Sequence, residues 1–429
     1  MKNFLIKLKQ HPKFDTIVSW GKLISITGSA QIIVQAVGFV SGILIIRLLP
    51  VEEYAFYTLA NTMLGTMTVL ADSGITAGVM AQGGKVWQNN EKMGVVLATG
   101  LDLRKKFAIG SLLVSMPFLF YLLIHNGASW LTSVLIALAL IPAFYTALSD
   151  SLLEIVPKLH QTILPLQKNQ VAVGFGRLFL TALTMFVFPW AFIGILAAGI
   201  PRLLGNIQLR KISYDLADKN QQPDKEIRFE ILGLVKKTLP TSIYFCVSGQ
   251  ITIWLISIFG NTTSLAQLGA LGRISAMLAI LATITWTLII PRFARLPMVK
   301  KIVLKRFVQI LGLLTVLLCS IVIFVYLFPT PILWLLGDSY NGLPFELLLS
   351  IISSCIGLLG GIAFHLYSSR GWAISPALSI TIDVSSIIIL ASIIDLSSIK
   401  GILFLNIGVN LISFLQTLFF SIFKINQLN

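Results

Sequence analysis

Twelve apolar stretches, separated by short polar connectors, dominate this sequence. About 20 apolar residues in a helix can cross the hydrocarbon layer of a bilayer, which is ~30 Å thick. Because a soluble domain cannot bury so many such stretches, the pattern predicts an integral membrane protein built from helices. The predicted spans are residues 23–46, 54–82, 106–125, 130–149, 170–188, 190–208, 238–259, 264–290, 306–328, 345–368, 374–394 and 401–422.

Composition supports the same class of protein. Hydrophobic residues make up 56% of the chain and charged residues only 11%, which excludes an ordinary soluble domain. The net charge of +15 could suit nucleic acid, but it is spread over separate short connectors, so we predict no nucleic-acid partner. The four histidines and three cysteines show no ligand spacing, so neither a metal nor another cofactor is predicted.

The basic residues predict a topology. Of the 32 lysines and arginines, 28 lie at the chain termini or in every second connector and its flanks, only Arg47 and Lys400 lie in the other connectors, and Arg177 and Arg273 lie inside spans. Polytopic proteins keep their basic connectors on the cytoplasmic side of the membrane. The count therefore predicts a multi-pass protein of the cytoplasmic membrane, with an even number of spans and both termini in the cytoplasm.

The longest polar connector, residues 209–236, has six predicted spans on each side. We interpret residues 1–208 as an N-terminal lobe, 209–236 as a cytoplasmic linker and 237–429 as a C-terminal lobe. Two related halves are common in secondary transporters, which bind substrate between the halves near the bilayer midplane. The expected fold is therefore all-α, with about twelve transmembrane helices in two six-helix lobes around a central cavity.

Charged residues inside the predicted spans are candidates for function. Each costs ~2.5–3.5 kcal/mol at a helix centre unless it faces a polar interior. Arg177 and Arg273 either form interhelical ion pairs or line a lumen, where the guanidinium could bind phosphate oxygens. Arg47, at the outer end of the first span, could do the same or extend to the membrane interface. Asp72 and Asp383 are candidates for ion or proton coupling, or for helix-packing ion pairs.

The sequence offers little for enzymatic chemistry. It has no G-x-x-x-x-G-K-[ST] loop and no polar stretch long enough for a nucleotide-binding domain. We therefore expect transport to be driven by an ion gradient or a partner, without intrinsic ATP hydrolysis. The external connectors are short and carry no Ser/His/Asp set, which disfavours a membrane enzyme such as a polysaccharide polymerase or ligase.

Short motifs along the chain resemble those of the polysaccharide flippases. The superfamily that contains these flippases also includes multidrug extruders and the lipid II flippase. The similar segments are Arg47-Leu48-Leu49-Pro50, then Tyr54 and Tyr57, then Asp72-Ser73-Gly74-Ile75, Pro291-Arg292-Phe293 and Leu335-Leu336-Gly337-Asp338-Ser339-Tyr340.

The resemblance implies a flippase that moves polyprenyl-pyrophosphate-linked oligosaccharide to the outer leaflet by alternating access. The implied partners are this substrate, membrane lipids and other proteins of polysaccharide assembly. Arg177, Arg273 and Arg47 would then be the candidates for substrate binding. A multidrug or cation antiporter of the same superfamily is the main alternative, and acidic residues in the lumen would favour it.

Overall fold

A computed structural model describes residues 14–285, 289–290, 293, 296–370, 372 and 374–428, and the regular structure in these residues is helical. The first nine helices are α1 (Phe14–Leu48), α2 (Val51–Asp72), α3 (Ile75–Val86), α4 (Asn90–His125), α5 (Trp130–Leu153), α6 (Ile155–Leu159), α7 (Ile163–Met185), α8 (Ala191–Tyr214) and α9 (Lys225–Phe259). The others are α10 (Thr262–Ser275), α11 (Ala279–Ile284), α12 (Lys300–Leu327), α13 (Pro329–Leu336), α14 (Pro344–Ser368), α15 (Pro376–Ile393) and α16 (Ile399–Asn426).

Each of the twelve predicted spans coincides with helical structure. Within the described residues, nine helical segments are long and apolar enough to cross a membrane, and the bent pair α2–α3 makes a tenth. The two remaining predicted spans fall on α7 and on the end of α9, where Ser248–Phe259 is an apolar segment too short to qualify alone. The expected all-α membrane fold is confirmed.

The second predicted span, residues 54–82, is not one continuous helix. It bends by 45° between α2 and α3, where Ser73 and Gly74 adopt φ values of +43° and +94°. Glycine takes such left-handed angles without steric cost, and this ends the regular helix. Asp72 accepts hydrogen bonds from the Thr76 backbone N–H at 3.0 Å and from its hydroxyl at 2.6 Å, which stabilises the start of α3. Asp72 therefore lies at a break and not deep within a span.

The chain forms two compact units. Unit 1 consists of Met1–Leu48, Ala60–Phe120 and Ser129–Cys246, and unit 2 of Leu49–Leu59, Tyr121–Ala128 and Val247–Asn429. Helices α2, α4 and α9 each contribute residues to both units. The predicted lobes, residues 1–208 and 237–429, are the halves expected to move during transport. They are not defined in the same way as the two compact units and stay a prediction.

The polar connector between α8 and α9 is held against unit 1. The Asp218 backbone N–H donates to the Asn90 carbonyl oxygen, and the Asp224 N–H donates to the Thr99 hydroxyl, both at 2.9 Å. The Asp224 carboxylate also accepts from the Ile227 N–H at 2.9 Å, so it caps the first turn of α9. A side chain that satisfies a helix terminus in this way has a structural role.

The charge pattern makes the membrane orientation testable. Reporter fusions after residues 125, 260 and 340 should behave as external, and fusions after residues 220 and 300 as internal, because the basic connectors remain in the cytoplasm. Each site is measured with paired phosphatase and fluorescent-protein reporters, so that a silent fusion in one assay is positive in the other. Reversal at any two sites would contradict the predicted topology.

Candidate functional site

Unit 1 contains a cavity of about 370 Å³, surrounded by α1, α2, α5, α7 and α8. Its apolar lining is made of small or aliphatic side chains. Its polar lining combines amides, carboxylates and guanidinium groups: Asn61, Asp150, Glu154, Asn169, Gln170, Arg177 and Arg202. A polar chamber inside a bundle of membrane helices gives these groups a place to remain solvated.

The lining residues recur at helical spacing. On α7 they form one stripe, and on α8 they follow at intervals of three or four residues. The α7 stripe is Asn169, Gln170, Val173, Gly174 and Arg177, and the α8 residues are Ile195, Ala198, Arg202, Gly205 and Leu209. Each helix therefore presents one mixed polar and small-residue face to the cavity.

Glycine keeps α7 and α8 close together beside the cavity. A Cβ atom built on Gly205 would clash with Cγ2 of Val173, so a larger residue there would require Val173 to shift. The Asn169 side-chain amide donates to the Gly205 carbonyl oxygen at 3.0 Å. This contact satisfies the side-chain nitrogen of Asn169 and links α7, which carries Arg177, to α8.

Arg177 is the cavity cation whose charge is not neutralised. Its side chain is half-buried, and its Nε is buried without a hydrogen-bond partner among the described residues. No carboxylate in the part of the chain that the structure describes forms an ion pair with it. Leaving a guanidinium donor unsatisfied in such a place costs free energy, which a bound anion would recover.

Arg202 is a second arginine in the cavity. Its Nε donates to Oδ2 of Asp150 at 2.8 Å, and Asn206 donates to Oδ1 of the same carboxylate at 2.6 Å. By charge alone Arg202 belongs with the connector after the sixth span and its flanks, but it lies near the middle of α8 and lines the cavity. Arg202 lies four residues after Ala198 and three before Gly205. This helical spacing is the sequence feature that could have placed Arg202 on the same face as these small residues.

Glu154, the other carboxylate of the cavity, is also matched by a cation. It accepts from Lys158 Nζ at 2.7 Å and from the Gln170 amide at 3.0 Å. Gln31 in turn donates to Oε1 of Gln170 at 3.1 Å. Since Asp150 pairs with Arg202 and Glu154 with Lys158, Arg177 is the charged residue of the lining that has no ion-pair partner among the described residues.

Asp72 forms an ion pair with Arg104, on α4 in the same unit. Arg104 is only 3% exposed and also donates to the Leu148 carbonyl oxygen and to the Ser151 hydroxyl, both at 3.1 Å. Counting Arg104 as a connector charge was wrong, because it is buried within the bundle. This geometry gives Asp72 the character of a helix-packing partner at the α2–α3 break.

Arg273 lies in unit 2, in the last turn of α10, where it is half-buried. Its guanidinium lies beside Tyr54 and Tyr57, whose side chains are 1% exposed. The two tyrosine rings stack with their centroids 6.1 Å apart. Within the described residues no carboxylate pairs with Arg273, so neutral phenols hold its guanidinium and its charge remains.

The other candidate residues lie apart from the unit 1 cavity. Arg47 is exposed in the last turn of α1, and Asp383 is half-buried in α15 of unit 2. Arg177 and Arg273 belong to different units, so the shared central cavity expected for them stays a prediction. Of the later motifs, Pro291 and Arg292 lie outside the described residues.

No family model and no curated protein matches this chain by sequence. Solved structures do match it. An inward-facing multidrug resistance MATE family transporter of the MOP superfamily superposes with a TM-score of 0.67 and 13% identity, covering 91% of this chain and 94% of that one. The chain shares the fold of this transporter.

Two further MOP-fold structures span almost the whole chain. The lipid II flippase MurJ in an inward closed conformation matches with a TM-score of 0.66 and 17% identity, over 93% of this chain and 89% of that one. An outward-facing MATE transporter matches with a TM-score of 0.61 and 14% identity, over 98% and 97% of the two chains. At these identities the MOP likeness concerns the fold, and the substrate has to be argued from the side chains.

Proposed function

We propose that this protein is a flippase that moves a polyprenyl-pyrophosphate-linked oligosaccharide across the cytoplasmic membrane by alternating access, for the synthesis of a cell-surface polysaccharide. A fold shared with transporters and with a lipid flippase supports a transport role. The choice of an anionic substrate rests on the side chains of unit 1.

The observation that carries the proposal is that Arg177, in the unit 1 cavity, has no ion-pair partner among the described residues. Its Nε lacks a partner among the described residues, whereas both cavity carboxylates are already paired with cations. A guanidinium matches phosphate oxygens with paired donors and keeps its charge when desolvated.

The second candidate function is multidrug or cation antiport. Its support is that Asp150 and Glu154 line the same cavity, and the MATE likeness is as strong as the MurJ likeness. An organic cation would have to displace Arg202 from Asp150 or Lys158 from Glu154 before it could bind either carboxylate. An anion could bind Arg177 without breaking either ion pair, so the existing pairs favour an anion.

A reconstitution experiment distinguishes the two functions. Purified full-length protein in liposomes should make a labelled polyprenyl-pyrophosphate oligosaccharide accessible to a membrane-impermeant lectin without ATP, since the chain has no nucleotide-binding loop. Applied proton and sodium gradients identify the ion that drives the movement. The same liposomes should not accumulate or release an organic cation such as ethidium.

The matched control substrate is the same oligosaccharide linked to polyprenol without phosphate. It should move much more slowly, because the interaction with a cationic cavity is lost. Gradient-driven movement of the organic cation, with no movement of the lipid-linked sugar, would favour the antiporter. Measurable ATP hydrolysis by the isolated protein would contradict the expected energy source.

A further inference from the structure

A groove of about 710 Å³ runs along α12 in unit 2. Aliphatic and aromatic side chains form most of its walls, and a cation and an amide lie among them. The residues that matter for the argument are Phe293, Ile310, Leu313 and Leu314 on the apolar side and Arg306 and Gln309 on the polar side. The groove therefore combines an apolar channel with a cationic group.

The helix that carries this groove faces lipid along much of its length. Lys300–Leu327 is the most apolar of the candidate spans, with a mean hydropathy of 2.8, and only 22% of its most apolar window is buried in the protein. Leu313 is 70% exposed and Val316 72% exposed. In a membrane span such side chains contact acyl chains, so the groove opens towards the bilayer and not towards water.

Four exposed cations lie in the first two turns of this helix: Lys300, Lys301, Lys305 and Arg306. The helix has no acidic residue, and cations at a helix N-terminus are disfavoured by the helix dipole. They are therefore not placed there to stabilise the helix. The topology rule explains why basic residues lie on this side of the membrane, but it does not explain an apolar groove that begins at one of them.

Arg306 lies at the polar end of the groove. Its Nη1 donates to Oε1 of Gln309 at 3.1 Å, and no carboxylate among the described residues pairs with it. Leu313 lies seven positions after Arg306, which corresponds to roughly 10 Å along a helix. A molecule with a negative head and an apolar chain, lying parallel to α12, would satisfy both parts of the groove.

We propose that this groove binds an anionic phospholipid of the surrounding bilayer, with its phosphate at Arg306 and one acyl chain along Ile310, Leu313 and Leu314. The charge of the four basic residues selects an anionic over a zwitterionic headgroup, since each Lys or Arg near an anionic membrane surface contributes about 1 kcal/mol. The inference is independent of the proposed transport function, because it uses only unit 2 and the lipid bilayer.

Native mass spectrometry of the full-length protein tests the lipid site. The protein is released from nanodiscs that contain equal amounts of phosphatidylglycerol and phosphatidylcholine, and the retained lipids are counted. Wild type should retain phosphatidylglycerol preferentially. R306A should bind it about fivefold more weakly, R306K should remain close to wild type, and L313W should lose it because the indole fills the channel.

Matched controls separate the groove from general effects. K424A removes a cation from another helix, and V316W places the same indole on α12 outside the groove, so both should retain phosphatidylglycerol like wild type. Equal retention of the two phospholipids, or equal loss in V316W and L313W, would overturn the proposal. Displacement of phosphatidylglycerol by an equal amount of polyprenyl phosphate would also overturn it, by assigning the groove to the lipid of a transport substrate.

Discussion

Replacing Arg177 by alanine should reduce translocation of the lipid-linked oligosaccharide by roughly 10- to 100-fold at limiting substrate. Hydrogen bonds to charged groups contribute ~1.5–3 kcal/mol, and each 1.4 kcal/mol corresponds to a factor of ten. Arg177→Lys should retain partial activity, because the positive charge survives while the paired donors of the guanidinium do not. The measurement is the lectin-accessibility assay in liposomes with matched amounts of protein.

The stability of the Arg177→Ala protein distinguishes a binding role from a structural one. Since no described carboxylate pairs with Arg177, removing its charge should leave the melting temperature and the membrane abundance unchanged or raised. Lys211→Ala, which removes an exposed cation from α8, is the matched control and should transport normally. Normal transport by Arg177→Ala would remove this residue from the mechanism.

Arg273 and Arg47, which do not line the unit 1 cavity, allow the same test. If Arg273 contributes to substrate binding from its place beside Tyr54 and Tyr57, Arg273→Ala should lower transport without lowering abundance. Arg47 is exposed and lies near a helix end, so Arg47→Ala should have the smaller effect. Normal transport by the Arg177→Ala/Arg273→Ala double variant would exclude both buried arginines.

Replacing Arg104 by alanine should lower the stability of the protein by roughly 3 kcal/mol. Breaking a buried ion pair leaves one charge without its partner, which typically costs 3–5 kcal/mol. We expect the lower end because the Asp72 side chain is 35% exposed, while that of Arg104 is 4% exposed. The loss should appear as a lower melting temperature in detergent and a lower abundance in the membrane.

Lys106→Ala is the control for Arg104→Ala, because it removes a neighbouring cation from an exposed ion pair with Asp102. Pairs of this kind contribute only about 0.3–0.5 kcal/mol. Adding Asp72→Asn to Arg104→Ala should recover part of the lost stability, because it removes the carboxylate left without a partner. Adding Asp72→Asn to Arg177→Ala should recover none of the lost transport. Equal stability losses in the two alanine variants would show that Asp72–Arg104 is not a structural ion pair.

The positions of the helices could be predicted well from this sequence, whereas the partners of its charges could not. Hydropathy is a local property, so each predicted span coincides with helical structure. The Asp72 pairing depends on which residue of α4 lies opposite the α2–α3 break, and Arg104 looked like one of three consecutive connector cations. The break that places Asp72 beside Thr76 and Arg104 depends on left-handed φ angles at Ser73 and Gly74. In the sequence, the only indication of this break is the single glycine Gly74.

By itself, the sequence determined that this is an all-helical membrane protein, because bilayer thickness and the cost of buried charge act on each segment separately. It also identified Arg177 as a charged residue inside a membrane span, whose burial costs free energy unless it lies in a polar environment. Only the tertiary structure decided that Arg202, Asp150 and Glu154 share that environment, with Asp150 paired with Arg202 and Glu154 with Lys158. Whether an arginine is neutralised depends on residues that are distant along the chain and meet only when α5, α7 and α8 pack together.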